Sequence, residues 1–170
     1  SDPIKSGLVW HANVVIRPEM TLEILSNMKK AGCKHLTYGI ESGSQRVLDL
    51  MRKRYRIEDA DLVLKYTHEA GIKVTCNFMF GFPGETKEYF QQTLDFLKRN
   101  SRYITTAYPS RSYCTIEPHS YLEKHMAEFG MVSNPDNNMY WQSSDGKNTY
   151  PDRLKRCEDF SSLAISLDIS

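Results

Sequence analysis

The chain has 170 residues, with 22 Lys and Arg against 21 Asp and Glu and a formal net charge of +1. That length suits one domain with a real core or part of a larger one, and the balanced charge gives no reason to expect a polyanionic partner. No run approaches the length of a membrane span and the N-terminus lacks the apolar core of a signal peptide, so no membrane partner and a cytoplasmic location are expected.

Leu8 to Ile16 is apolar and β-branched at its end and reads as a buried strand, closed by Arg17-Pro18. A helix follows from Met20, with Thr21, Ile24, Leu25 and Met28 spaced along one face, and Ala31-Gly32 ends it. A second strand, Lys34 to Ile40, hands over at Glu41-Ser42-Gly43 to a helix expected to start on a Ser42-to-Gln45 capping box. The basic link Arg52 to Arg56 leads to a helix from about Glu58 to Ala70, and Gly71 again punctuates. A third strand spans Ile72 to Phe80. The turn Gly81-Phe82-Pro83-Gly84-Glu85-Thr86 then opens a helix to about Lys98. Weaker strand signals occupy Tyr103 to Thr106 and Tyr113 to Ile116, and Pro118 opens a helix expected to reach Phe129. Asn134 to Tyr150 reads as a long polar loop carrying Trp141, and Pro151 opens a last helix to about Leu167.

Strands alternating with helices argue for an α/β fold with parallel strands, either a small open sheet or the later part of a barrel. Ligands in such folds bind at the carboxyl ends of the strands, which is where Glu41 falls. Glu41 reads either as a carboxylate gripping a ligand or as a solvated turn residue, and the glycines beside it permit close backbone approach. Arg17 reads equally as a partner for a ligand carboxylate and as a partner for Glu19. The Gly81–Thr86 turn is neither a Walker A loop nor a dinucleotide fingerprint. Cys33, Cys76, Cys114 and Cys157 lack any metal-site spacing and read as reduced thiols, and the histidines show no ligand pattern. The basic link reads as a solvated connector, so no nucleic-acid partner is expected.

Ala31-Gly32-Cys33, the run Tyr38 to Leu48 (Y-G-I-E-S-G-S-Q-R-V-L), Ala70-Gly71-Ile72 and Phe80 to Thr86 form an ordered set. In that order and spacing they resemble the radical S-adenosylmethionine (SAM) superfamily. The similarity is greatest to the branch often fused to a cobalamin-binding domain, which includes anaerobic magnesium-protoporphyrin ester cyclases and methyltransferases. It runs from about Trp10 to Lys98, with a looser continuation to Phe129.

The resemblance implies a partial (β/α) barrel binding SAM and a [4Fe-4S] cluster, with reductive cleavage of SAM to a 5′-deoxyadenosyl radical. It places Glu41 and Ser42 beside the ribose and methionine parts of SAM. Asn77, Met79 and Gly81 fall along the adenine, and Asn13 and Arg17 face the same cavity. The family's C-x-x-x-C-x-x-C run and its glycine-rich motif for the SAM amino group are absent, so no metal ligand is assigned here. The chain therefore reads as a (β/α)6 barrel lacking its first strands. Residues 1–130 form the C-terminal portion of that barrel, and 131–170 form a polar, aromatic loop plus a helix packing on it. Such a fragment is expected to be inactive alone, and its partners are an unidentified small-molecule substrate and the missing N-terminal part of the barrel. Cobalamin is left open by the branch's frequent fusion. A cluster-less scaffold or binding module is the alternative, and an ordinary phosphate-binding α/β enzyme a third.

Overall fold

A computed structural model describes residues 7–110 and 114–170. Its main sheet has four parallel strands in the order β1 (Trp10–Val14), β2 (Cys33–Glu41), β3 (Lys73–Phe78) and β4 (Thr106–Pro109). Helix α1 (Leu22–Lys30) joins the first pair, α2 (Gln45–Leu50) and α3 (Ile57–Glu69) the second, and α4 (Lys87–Asn100) the third. The chain is thus a run of β–α–β units, as the alternating pattern predicts.

Strand periodicity of two sorts the residues of this sheet onto two unlike faces. Leu36, Tyr38 and Ile40 of β2 and Val74, Cys76 and Phe78 of β3 point to one face and are wholly buried. That face is covered by α1, α3, α4 and the last helix, α6 (Tyr150–Ser166), whose Phe160 ring lies 4.7 Å from Phe78 and 5.0 Å from Phe80. The other face carries His11, Asn13, Thr37, Asn77 and Tyr108, with Thr37 paired to Asn13 and Thr75, and Asn77 paired to Gly39 and Tyr108. Asn13, Asn77 and Tyr108 are exposed, so one side of the sheet is polar and open.

The helix starts are set by caps. Thr21 accepts from Ile24 N, Thr86 from Tyr89 N, and Thr149 with Asp152 forms a capping box at the start of α6. The expected Ser42–Gln45 box does not form. The Ser42 hydroxyl instead accepts from Ser44 N at 3.1 Å, and the Gln45 carboxamide oxygen accepts from Ile57 N at 2.8 Å. Ser44 is the N-cap, without a side-chain bond. The chain thus takes two extra residues to turn, because the glycine turn is tied to α4 rather than to its own helix.

Three further expectations are corrected beyond β4. Cys114–Ile116 is not strand, and the rest of that expected strand, Tyr113, lies outside the described residues. The helix after Pro118 is a single turn, α5 (Tyr121–Lys124), capped by Ser120. The polar loop contains an antiparallel hairpin of β5 (Met131–Val132) and β6 (Gln142–Ser143). Trp141 is completely buried there, and its indole N–H donates to the Cys114 carbonyl at 2.7 Å. One large aromatic supplies enough apolar area to hold a stretch that is otherwise polar.

At its end the chain returns to the sheet. Ala107 N donates to Ser170 O at 2.9 Å and Ser170 N to Thr105 O at 3.3 Å, the pattern of a parallel bridge on the far side of β4. Among the described residues no helix is long and apolar enough to cross a membrane.

Candidate functional site

The open face ends, at the carboxyl edge of the strands, on Glu41. Between Gly39 and Glu41 the pairing of β2 with β3 slips by one residue, and Glu41 takes a left-handed backbone with φ 66°. A non-glycine residue there carries strain of about 1–2 kcal/mol, a cost that commonly marks a functional position. The slip turns the Glu41 side chain back over Gly39, where a Cβ would lie 2.8 Å from the carboxylate oxygen Oε1. A Cβ at residue 39 would press on the end of that flexible side chain, and the carboxylate is laid on the open face beside Asn77, the β3 partner of Gly39.

Lys53 reaches the same oxygen with its Nζ 3.2 Å away, the two side chains being 28% and 21% exposed. The carboxylate is therefore held but still accessible, and its other oxygen makes no hydrogen bond to the described residues. The Glu41 carbonyl accepts from Met79 N at 2.9 Å, which ties the slip to the end of β3. Lys53 was read in the sequence as part of a solvated connector. No local pattern assigns it otherwise, since only the fold of α2 brings residue 53 back to residue 41.

The remaining sequence candidates fall in different surroundings. Asn13 is exposed on the open face, paired with Thr37. Arg17 lies past the end of β1 in an exposed turn closed by Met20 N donating to its carbonyl at 3.0 Å, and it makes no ion pair with Glu19. Asn77 is exposed and Met79 half-buried, packed against the apolar cluster that includes Val47, Phe82 and Trp141. Ser42 is turned inward: its hydroxyl lies 3.2 Å from Thr93 Oγ1, the same oxygen that accepts from Gly43 N at 2.9 Å. Its side chain serves the turn, and its N–H donates to the Ile40 carbonyl at 2.8 Å.

Gly81 is buried with φ 74°. Its N–H donates to Glu85 Oε2 at 2.6 Å and its carbonyl accepts from Asn148 Nδ2 at 2.9 Å. Glu85 is in turn paired with Arg156 at 2.7 Å, the side chains being 0% and 9% exposed. Burial pushes the Glu85 carboxyl up from its ordinary range, against the Arg156 charge and the Gly81 N–H, which pull it down.

Lower on the open face, His35 Nε2 lies 2.6 Å from Thr75 Oγ1, and burial, then His11 and Lys73, lower its pKa. A cavity of about 850 Å³ lies elsewhere, between the start of α4, the hairpin turn and α6, and none of Glu41, Asn13 and Asn77 lines it. The open face is consequently a surface rather than an enclosed chamber.

Among the described residues no three His, Cys, Asp or Glu side chains group as a metal site. Cys33, Cys76 and Cys114 are buried singly, and burial pushes Cys114 up to about 12. These thiols do not suit an iron–sulfur cluster, which needs several ionisable cysteines converging on one point.

The model of the radical SAM superfamily matches residues 7–97, the stretch from β1 into α4. The chain belongs to the radical SAM superfamily. A tRNA-2-methylthio-N(6)-dimethylallyladenosine synthase from Desulforamulus reducens is 37% identical over 95 residues, 54% of this chain and 21% of that protein. A bacteriochlorophyllide d C-12(1)-methyltransferase from Chlorobaculum tepidum is 29% identical over 97 residues, 56% of this chain and 21% of that protein. The chain thus spans about a fifth of the length of these curated relatives. Among solved structures, a radical SAM methyltransferase from Kitasatospora setae, with cobalamin and a [4Fe-4S] cluster bound, superposes with a TM-score of 0.62. Sequence identity there is 17%, over 90% of this chain and 36% of that one, so the likeness is one of fold. The four parallel strands and their helices are accordingly part of a radical SAM barrel.

Proposed function

We propose that this chain is the SAM-binding part of a radical SAM enzyme, with Glu41 its principal polar contact. The observation that carries the reading is the Glu41 carboxylate, laid over Gly39 on the open face in a strained conformation and countered by Lys53. Such a carboxylate accepts from paired ribose hydroxyls or from an ammonium group, and Lys53 answers a ligand carboxylate. Asn13, Asn77 and Met79 line the rest of the face, Met79 offering its apolar side to a base. Arg17 and the backbone of Ser42 flank the ligand at either end, and Gly81 fixes the turn beyond Met79. The family's chemistry is reductive cleavage of SAM to a 5′-deoxyadenosyl radical by a [4Fe-4S] cluster, which this reading assigns to residues outside the chain.

The further partner is the rest of the barrel. Among the described residues, five of the eleven large hydrophobics left exposed, Leu8, Val9, Val15, Leu22 and Ile24, lie along β1 and α1. β1 is also an edge strand, so a further β–α unit on that side would cover them. The relatives' names divide between a tRNA nucleoside and a bacteriochlorophyllide. The near-zero charge of this chain favours a small-molecule substrate over a nucleic acid. Cobalamin enters through the family branch and through structural neighbours that hold it, the Kitasatospora setae enzyme among them. The absence of a metal-ligand group among the described residues supports a second reading, a cluster-less SAM-fold binding module.

Titrating the chain with S-adenosylhomocysteine while recording backbone amide spectra tests the first reading. Shifts are expected at Glu41, Asn77 and Met79. A titration that moves none of these, or moves only residues away from the open face, overturns it.

A further inference from the structure

The C-terminal unit makes contacts with the Gly81 turn that go beyond packing. Every polar group of the Gly81 backbone is satisfied by a side chain: its N–H by Glu85 and its carbonyl by Asn148. A Cβ on Gly81 would lie 2.2 Å from Arg153 Cγ and 2.4 Å from Cδ, so the third side of the residue is filled by α6. Arg153 is itself wholly buried and tied into the hairpin. Its Nη2 donates to the carbonyls of Met139 at 2.7 Å and Trp141 at 2.9 Å, and its guanidinium lies 4.2 Å over the Trp141 ring. Its Nη1 faces Asn148 Oδ1 at 3.4 Å, which orients the carboxamide so that the NH2 points at Gly81.

We propose that Asn148 and Arg153 are positioning residues, a clamp by which the hairpin and α6 lock Gly81 and so fix the ligand-facing end of β3. The inference rests on the reading of that strand end as a SAM contact, but the clamp itself is a property of the unliganded chain. Gly81 is two residues from Met79, whose N–H is bonded to the Glu41 carbonyl. A change in the backbone at Gly81 therefore reaches both halves of the candidate site. An enclosed acceptor such as the Gly81 carbonyl is costly to leave without its partner, which holds the clamp shut.

Asn148→Asp separates the clamp from stability. The carboxylate keeps the shape and the acceptor facing Arg153, and it removes the donor to Gly81. Asn148→Ala serves as the second variant, since Arg153 keeps its bonds to Met139 and Trp141 if the aspartate variant folds poorly. Two quantities are read on the whole chain, in a Trp10→Phe background: amide hydrogen exchange at Met79 and Gly81, and Trp141 emission as a reporter of the hairpin. Expected is exchange at these amides faster by about tenfold or more, with Trp141 emission and the exchange of β2 unchanged. S-adenosylhomocysteine binding is expected to weaken by a similar factor. Unchanged exchange at Met79 and Gly81 with the hairpin intact overturns the clamp. If the starting protein fails to bind S-adenosylhomocysteine, the SAM reading falls, and the exchange comparison still decides the clamp.

Discussion

Arg156→Ala is expected to lower the stability of the chain by about 3–5 kcal/mol, measured by urea unfolding at neutral pH. The guanidinium donates to Glu85 Oε2 at 2.7 Å and reaches the Glu85 carbonyl at 3.4 Å, and the Glu85 side chain is fully enclosed. Removing Arg156 leaves an enclosed carboxylate whose other oxygen, Oε1, has no partner. The loss has a characteristic pH dependence. Burial already raises the Glu85 carboxyl in the folded chain, so its contribution is fully present below the ordinary carboxylate value and is lost as pH rises through the folded value. Without Arg156 the folded value rises further, because the charge that favoured ionisation is gone. The deficit of the variant should therefore shrink as the solution is acidified from neutral toward pH values where Glu85 is protonated. A deficit that is constant across that range, or smaller than about 1 kcal/mol at neutral pH, would show that the pair is not holding the turn.

Glu41→Gly should divide stability from binding. Glycine accepts the φ of 66° without strain, a gain of about 1–2 kcal/mol, and this is offset by chain entropy of about 0.5–1 kcal/mol and a half-exposed ion pair with Lys53 of at most about 1 kcal/mol. Stability is thus expected to stay within about 1 kcal/mol of the parent. Affinity for S-adenosylhomocysteine should fall by at least about tenfold, the scale of one lost hydrogen bond to a charged group. A residue placed there for structure alone would show the opposite pattern: unchanged binding, with any cost appearing in unfolding. Calorimetric titration beside a thermal melt reads both.

The first strand, expected to be buried, is instead a partly exposed edge strand, because its second face is open. The order of strands and helices was legible because Gly32 and Gly71 mark the helix ends, with φ of 95° and 74°, and a strand follows each. The position of Glu41 at a strand end was legible for the same reason. Its orientation was not, because that depends on a one-residue slip in pairing with β3, a contact 37 positions away in sequence (Glu41 with Phe78). Ser42 has the residue type and spacing of a helix cap, and local chemistry alone favours that role. The structure gives its hydroxyl to Thr93 and the Ser44 N–H instead, because α4 packs on the turn. Lys53 sits in a run of basic residues that looks uniform until the fold singles one out. The region beyond β4 was the hardest to read. Its hairpin depends on one buried tryptophan and on Arg153 donating to loop carbonyls, and neither leaves a periodic trace in the sequence.

Glu41 is assigned, by our proposal, to a contact with SAM in a working radical SAM barrel. The direct test joins this chain to the cysteine-bearing segment its family places before it, reconstitutes the protein with iron and sulfide, and measures 5′-deoxyadenosine released from SAM under reduction. The account predicts release by the parent and at least a tenfold drop in kcat/KM for SAM with Glu41→Ala, the cluster content being equal. Equal release from parent and variant, or none from a parent whose cluster is intact, would contradict it.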